Sequence, residues 1–360
     1  MIDDRELFDR AIQRFVPPER SFDRLVRRRE LKRRNRRIAA AAVALGLFAA
    51  IIASFAVSIE LRRSQPLRQV PTPFHHNGEI AVFQDILKGG APHGGRLVSI
   101  DPVSGQRVTL PISVTKPWGP SGSPEPSWSP DGSSVAFVFA HRLLGILDVT
   151  TGQSRDVASC GFCFGSPAWS PDGSTIAVGG SPDGAIGLFE VGTSAATMLQ
   201  PLGDAGAVTS LAWSPDGQRI AFIFQAMEGG TELYTIRRDG SDLRAIAQDA
   251  LFSVTWSPDG STIAYLVSPH YYTGCYPISC PIVVKVVDAD GSTPRTLFSA
   301  GKFSYLIFEP GLAWSPDGTR LALTLPSHAF GGLYVISSHG TGLRLLLRGA
   351  YGRPSWRPVP

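Results

Sequence analysis

The hydrophobic and polar positions of this chain follow one pattern before about residue 60 and another after about residue 75. Residues 38–59 run for 22 positions without a charged side chain. After residue 75, short apolar runs such as 135–137 and 220–222 alternate with turns rich in Gly, Pro, Asp and Ser. Short apolar runs bounded by turn residues are typical of β-strands. The pattern therefore predicts one long apolar helix followed by a large all-β domain.

One five-residue motif recurs along the all-β domain. Trp-Ser-Pro-Asp-Gly occurs five times, and a shorter copy, Trp-Arg-Pro, stands near the C-terminus. The six copies begin at Trp128, Trp169, Trp213, Trp256, Trp314 and Trp356. Their spacings of 41, 44, 43, 58 and 42 residues match the length of a four-stranded propeller blade. The repeat predicts a six-bladed β-propeller with a tryptophan buried between neighbouring blades.

The two ends of this domain complement each other. The first unit has strand candidates at residues 79–83, 96–100 and 106–110, but no tryptophan-bearing strand precedes them. The last tryptophan, Trp356, ends a strand after which only four residues follow. The two fragments are predicted to complete one blade, so that the C-terminal strand closes the ring and leaves no sheet edge unpaired.

The W-S-P-D-G-x-x-I-A-F units resemble the WD40-like (PD40) repeats of the TolB propeller domain, over about residues 75–360. The resemblance implies a six-bladed propeller and, in that family, protein binding in the cell envelope. The α/β domain that precedes the propeller in TolB has no counterpart in this sequence, where the apolar helix takes its place. A role in the Tol system is therefore not implied.

The apolar run is long enough to be a transmembrane helix. At 1.5 Å per residue, 22 residues span about 33 Å, the thickness of a bilayer core. Residues 1–37 carry 13 Lys+Arg against 7 Asp+Glu, which favours a cytoplasmic N-terminus. The predicted organisation is a cytoplasmic segment (1–37), a single transmembrane helix in the plasma membrane (38–59), a linker (60–74) and an extracytoplasmic propeller (75–360). A cleaved signal peptide is the alternative.

The charge distribution bears on the partners. Residues 38–360 carry 21 basic and 23 acidic side chains, so nucleic acid is excluded as an expected partner of the propeller. Residues 3–35 contain two short amphipathic runs separated by Pro17 and Pro18. These runs are predicted either to rest on anionic lipid or to dock a cytoplasmic partner.

Four cysteines all follow the apolar run. Cys160 and Cys163 precede the third unit, and Cys275 and Cys280 fall in an insertion that explains the 58-residue spacing. Outside the cytoplasm, an even number of cysteines favours disulfides, and the local pairs 160–163 and 275–280 are predicted. A four-thiolate zinc site is the alternative, which requires the two loops to converge.

Histidine and tyrosine side chains cluster in one kind of connection, the one between the second and third strands of a unit. The residues are His93, His141, His270, Tyr271, Tyr272 and His328. Binding residues concentrate on loops held by a rigid scaffold, so these six are predicted to form a binding face for an envelope protein or ligand. Loop positions without function and a histidine metal site are the alternatives.

No sequence motif indicates catalysis or a cofactor. The chain lacks G-x-S-x-G, H-E-x-x-H, P-loop and G-x-G-x-x-G motifs, and the five motif aspartates are explained by their turns. The expected function is a non-catalytic, membrane-anchored binding scaffold in the cell envelope, without a cofactor. The alternatives are a transmembrane regulator of the anti-sigma type that uses residues 3–35, and a hydrolase or lyase built on propeller loops.

Overall fold

The computed structural model describes residues 78–358, which belong to the second of two units of the chain, Pro66–Pro360. Gaps within this range fall at 89–90, 116–124, 140–142, 160–162, 182, 194, 204–205, 228, 269–279, 304–309 and 326–330. The predicted cytoplasmic segment, transmembrane helix and linker lie outside the described residues, and their boundaries stay predictions. In the described part no helix is long and apolar enough to cross a membrane.

The described residues form 24 β-strands and no helix, arranged as six antiparallel four-stranded sheets. Each sheet is one blade, numbered here from the N-terminus. Blade 1 consists of β24 (Ala350–Trp356), β1 (Ile80–Lys88), β2 (Ala91–Ile100) and β3 (Arg107–Thr115). Blade 2 consists of β4 (Ser127–Trp128), β5 (Ser134–Phe139), β6 (Leu143–Asp148) and β7 (Ser154–Ser159). Blade 3 consists of β8 (Cys163–Trp169), β9 (Thr175–Gly180), β10 (Ile186–Glu190) and β11 (Ala196–Leu199).

The other three blades repeat the same order. Blade 4 consists of β12 (Gly206–Trp213), β13 (Arg219–Ala226), β14 (Thr231–Arg237) and β15 (Arg244–Gln248). Blade 5 consists of β16 (Ala250–Trp256), β17 (Thr262–Val267), β18 (Cys280–Asp288) and β19 (Arg295–Phe303). Blade 6 consists of β20 (Gly311–Trp314), β21 (Arg320–Leu325), β22 (Gly332–Ser337) and β23 (Arg344–Arg348).

The tryptophan-bearing strand of each blade is the innermost, and these six strands form a closed ring. Along the ring, β24 contacts β4, and the contacts continue through β8, β12, β16 and β20 back to β24. In blade 1, Ile80 of β1 pairs with Trp356 of β24. The predicted six-bladed propeller closed by its own C-terminus is therefore confirmed. The first three strands of the chain extend beyond the predicted bounds, because their antiparallel pairing continues toward the hairpins.

The motif tryptophans join each blade to the one before it. Trp128, Trp213, Trp256 and Trp356 are only 5 to 8% exposed. The indole N–H of Trp213 donates to the carbonyl oxygen of Ala168 in the preceding blade at 3.1 Å. Trp169 and Trp356 make the equivalent bond to the preceding blade. Burial of a large aromatic side chain thus holds neighbouring blades together, and at these three junctions a directed bond adds to it.

Each intact Trp-Ser-Pro-Asp-Gly motif forms a tight turn between the first two strands of its blade. In blade 2, the N–H of Gly132 donates to the carbonyl oxygen of Ser129 at 2.9 Å, and Gly132 has a left-handed φ of 65°, as such turns require. Asp131 accepts from Ser129 Oγ at 2.5 Å and from the N–H of Ser133 at 3.0 Å. The other four turns repeat these bonds to their aspartates.

These hydrogen bonds stabilise the ionised form of the motif aspartates. The pKa is lowered in Asp131, Asp172, Asp216, Asp259 and Asp317. The bond from the motif serine is the largest cause in the first four. In Asp317 burial acts most strongly and raises the pKa, but the bonds from Ser315 and Thr319 more than offset it. The aspartates therefore have a structural role that needs no metal or substrate.

Arg357 replaces the motif serine in the degraded last copy and seals the junction between blades 1 and 2. Its main-chain N–H donates to the carbonyl oxygen of Glu79 at 2.6 Å, and its Nε donates to the carbonyl oxygen of Gly132 at 3.0 Å. The guanidinium lies 5.1 Å from the ring centroid of Trp128 and 3.6 Å from the buried carboxylate of Glu79. One side chain thus ties the C-terminus to the start of blade 1 and to blade 2.

Deleting residues 351–360 is expected to open the ring. The deletion removes most of β24, and it exposes the edge of β1 and the packing surface of blade 6. We expect the melting temperature of the full-length protein in detergent to fall by roughly 10 °C or more, measured by circular dichroism. Deleting only residues 359–360, which follow the last strand, serves as the control. An unchanged melting temperature of the longer deletion would contradict ring closure.

The motif aspartates predict how stability depends on pH. Because their folded-state pKa values lie below those of the unfolded chain, their contribution is complete above about pH 4 and is lost as the pH falls further. We expect Asp216→Asn to lower the melting temperature at pH 7, and this difference from the wild type to shrink toward pH 2. Asp156→Asn, at an exposed position of β7, is the control. A difference that does not depend on pH would show that the charge of Asp216 is not involved.

Candidate functional site

The meander of strands in each blade separates the connections onto two faces of the propeller. Because successive strands run antiparallel, the turns after the first and third strands of a blade share one face. We call it the turn face, since it carries the Trp-Ser-Pro-Asp-Gly turns. The connections after the second strand of a blade, and those leading to the next blade, share the opposite face, which we call the loop face.

The predicted binding residues belong to connections of the loop face. His141 falls in sequence between β5 and β6, His270 with its two tyrosines between β17 and β18, and His328 between β21 and β22. These residues lie outside the described part of the chain. His93 is placed within β2 rather than in the connection before it, because the β1–β2 ladder continues to the hairpin, but its side chain is not described. The predicted binding face stays a prediction.

Cysteines mark two strand starts at the loop face. Cys163 is the first residue of β8, 1% exposed and engaged in a disulfide. Cys280 is the first residue of β18. The side chains of Cys160, Cys275 and Cys280 lie outside the described residues, so the pairings 160–163 and 275–280 stay predictions. Among the described residues no group of three or more His, Cys, Asp or Glu side chains could hold a metal ion.

The described residues that meet inside the ring come from one position of the repeat. Several inner strands carry a β-bulge just before the motif tryptophan, and such bulges re-aim side chains. When the six copies are aligned on their tryptophans, the third residue before the tryptophan is the position concerned. Its occupants are Glu125, Ser166, Ser210, Ser253, Gly311 and Arg353.

Three serines at this position lie at the junctions between blades. Ser210 Oγ accepts the N–H of Val254 in the next blade at 3.2 Å. Ser253 Oγ accepts the N–H of Leu312 in the next blade at 3.1 Å. Ser166 is 1% exposed, and its Oγ has no hydrogen-bond partner among the described residues. Its hydrogen-bonding capacity is therefore unused there.

Arg353 crosses the channel enclosed by the inner strands. From β24 of blade 1, its Nη1 donates to the carbonyl oxygen of Leu211 in blade 4 at 2.7 Å. Its Nη2 donates to the carbonyl oxygen of Val254 in blade 5 at 2.6 Å. One guanidinium thus braces the channel. The two carbonyls that it binds belong to equivalent residues, each two positions before the motif tryptophan of its blade. Charge-assisted bonds of this kind are stronger than neutral ones.

The surroundings of Arg353 are adapted to it. Burial lowers the pKa of Arg353, and the nearby charge of Glu125 opposes this effect. Glu125 Oε1 also accepts the main-chain N–H of Arg353 at 3.3 Å. In blade 6 the equivalent residue is Gly311, where a Cβ atom would lie 2.4 Å from the Cα of Arg353. Glycine is required there because the two backbones approach closely.

Sequence reasoning did not identify Arg353 as important. The available signal was the alignment of the repeats on their tryptophans, which places an arginine and a glutamate where three other copies have serine. Chemically, the position combines a guanidinium with a nearby carboxylate. Two of the guanidinium nitrogens bond to the main chain, so the arrangement is that of a structural brace.

Grooves also run between blades on the turn face. A groove of about 650 Å³ between blades 2 and 3 is lined by Asp131, Trp169 and Val191, among others. A groove of about 430 Å³ between blades 3 and 4 is lined by Glu190, Arg238 and other polar residues. Both volumes are within the usual range of binding pockets.

Comparisons with known proteins agree on the fold. Residues 119–276 match the family model described as the TolB beta propeller domain, PD40. TolB from Acinetobacter baumannii is similar with a TM-score of 0.61 and 22% identity, over 78% of this chain and 67% of that chain. No curated protein sequence matches the chain.

Two other solved propellers belong to different functional classes. A chain of a nidogen/laminin complex has a TM-score of 0.55 and 11% identity, over 79% of this chain and 99% of that chain. A gluconolactonase from Xanthomonas campestris has a TM-score of 0.51 and 14% identity, over 76% of this chain and 87% of that chain. At these identities the similarity establishes the fold alone.

Replacing Arg353 tests its role as a brace. Arg353→Met removes both charge-assisted bonds to the main chain, so we expect the free energy of unfolding to fall by about 3 kcal/mol. Arg353→Lys keeps the charge but reaches fewer carbonyls, and we expect an intermediate loss. Arg295→Met, at an exposed position of β19, is the control. Equal stability of the Arg353→Met and control variants in urea unfolding would contradict the brace.

Proposed function

Since the described chain is a closed six-bladed propeller of the TolB type with PD40 repeats, we propose that the protein is a binding scaffold of the cell envelope. In this proposal a transmembrane helix at residues 38–59 holds the propeller outside the cytoplasm. The loop face then binds a partner protein or ligand, and the protein itself is not catalytic.

The observation that carries the proposal is the rigid support beneath the loop face. The pairing of β24 with β1 closes the ring, and Arg353 ties blade 1 to blades 4 and 5 across the channel. Connections on such a ring keep a fixed relation to one another although their own sequences vary. This combination of a rigid frame with variable loops is typical of binding surfaces.

Sequence and similarity add support. The resemblance to TolB implies protein binding, and one similar propeller was solved in a protein–protein complex. Of the residues predicted for the binding face, His141, His270, Tyr271, Tyr272 and His328 fall in sequence between the second and third strands of their blades. Tyrosine is enriched at protein interfaces because it combines apolar area with a hydrogen-bonding hydroxyl.

An enzyme on the same fold is the second candidate, since a gluconolactonase is among the similar structures. A general acid at neutral pH needs a carboxyl group with a raised pKa. The aspartates with displaced pKa values in the described residues, such as Asp172 and Asp242, are displaced downward by hydrogen bonds. A regulator of the anti-sigma type would depend on residues 3–35, outside the described part of the chain.

Cross-linking in cells, followed by mass spectrometry, tests the proposal. We expect the full-length protein to capture extracytoplasmic partners, and a variant with His270, Tyr271 and Tyr272 replaced by Ala to lose them by at least fivefold. The matched control combines His339→Ala and Val103→Ala, two exposed positions on the turn face. The control should capture the same partners as the wild type.

Two outcomes would contradict the scaffold. Equal capture by the loop-face variant and the wild type would exclude the predicted binding residues. A partner that is lost only when residues 2–26 are deleted, with the basic cluster and topology kept, would favour the cytoplasmic regulator instead.

A further inference from the structure

Arginine side chains cover two of the motif tryptophans on the turn face. Arg238 of blade 4 lies with its guanidinium carbon 5.5 Å from the ring centroid of Trp213. The same guanidinium reaches into the preceding blade, where it pairs with Asp172 at 3.2 Å and donates to Thr175 Oγ1 at 2.9 Å. Arg357, from the preceding blade, also lies over a motif tryptophan, Trp128, but its carboxylate partner is Glu79 rather than a turn aspartate. The junction between blades 3 and 4 therefore provides a site for a guanidinium, made of an aromatic face and a turn aspartate.

The junction between blades 2 and 3 has no such arginine in the equivalent position. The main-chain N–H of Arg238 donates to Gln218, five residues after Trp213, and the N–H of Val191 donates to Ser174, five residues after Trp169. Val191 is therefore the equivalent of Arg238 in blade 3. Its short apolar side chain supplies neither a charge nor a hydrogen-bond donor.

The groups that bind Arg238 have equivalents at this junction. Counted from the motif tryptophan, Asp131, Ser133 and Ser134 of blade 2 occupy the places of Asp172, Ser174 and Thr175 of blade 3. All three line the groove of about 650 Å³ between blades 2 and 3, together with Trp169 and Val191. The polar half of the arginine site is thus present and faces an open groove.

Trp169 is more exposed than most of the motif tryptophans. Trp128, Trp213, Trp256 and Trp356 are 5 to 8% exposed, whereas Trp169 is only partly buried. Trp314 is also partly buried, but it adjoins neither of the two grooves. Trp169 therefore presents part of its ring to the groove.

The charge of the groove favours a cation. Asp131, Asp148 and Asp172 line it. Asp172 is paired with Arg238, and the other two carboxylates stand against one basic lining residue, Arg155, on the exposed strand β7. Hydrogen bonds from Ser129 and Ser133 keep the pKa of Asp131 below its usual value, so this carboxylate is ionised at neutral pH. A partially buried aromatic ring beside a carboxylate suits the planar guanidinium better than the compact ammonium of lysine.

We propose that the groove between blades 2 and 3 binds an arginine side chain of a partner protein, with the guanidinium on Trp169 and paired with Asp131. In this site the arginine comes from the partner, and its contacts with a tryptophan and an aspartate are those that Arg238 makes within the chain. It lies on the face opposite the loop face and does not depend on the function proposed above. The turn face thereby becomes a second surface for a basic peptide segment.

Two short peptides test the chemistry directly on the full-length protein in detergent. Acetyl-Gly-Arg-Gly-amide carries the guanidinium, and the same peptide with citrulline has nearly the same shape without the charge. We expect ligand-observed NMR to show that the arginine peptide binds at least tenfold more tightly than the citrulline peptide, and more weakly as salt rises. Equal binding of the two peptides, or no binding of either, would overturn the proposal.

Variants locate the site. Val191→Arg places an arginine in cis, so we expect it to reduce binding of the arginine peptide at least tenfold and to raise the melting temperature. Val191→Lys is the second variant, with the same expected loss of peptide binding. Ser338→Arg is the matched control, because Ser338 is the equivalent position beside Trp314 in blade 6. Unchanged binding by both Val191 variants, or a loss caused by Ser338→Arg instead, would overturn the proposal.

Discussion

The pairing of β24 with β1 is the constraint on which the rest of the molecule depends. A blade shared by both ends of the chain turns a linear array of repeats into a ring, and the ring buries a tryptophan at each junction. Arg357 strengthens this point, since it bonds to Glu79 in the first blade and to Gly132 in the second. The buried apolar residues form six clusters at successive junctions, so the stability of the ring comes from six similar junctions rather than from one central core.

Near-symmetry makes the departures from the repeat informative. In five blades the motif turn is stabilised by the same serine and aspartate, and these hydrogen bonds lie within each motif. The third position before the tryptophan differs, with serines that link neighbours and one arginine that spans the channel. The position occupied by Arg238 in blade 4 differs as well, since blade 3 has Val191 there. Function in such a fold is expected where one copy departs from the others without loss of the frame.

The two faces of the ring can therefore act separately. The loop face carries the long connections and the predicted histidine and tyrosine residues. The turn face carries short turns, whose grooves are shaped by the repeat itself. If both proposals hold, the scaffold binds one partner on each side, with the rigid ring between them.

The sequence alone determined the number of blades, the closure of the ring and the structural role of the motif aspartates. These features depend on turn chemistry and spacing, which are local and repeat along the chain. Only the tertiary structure revealed the brace, because Arg353 bonds to carbonyl oxygens 142 and 99 residues away in sequence. It also decided which tryptophans are covered by arginine, since that depends on which side chains two neighbouring blades bring together. A bond between a side chain and a distant carbonyl oxygen leaves no periodic pattern in the sequence, because only folding brings the two groups together.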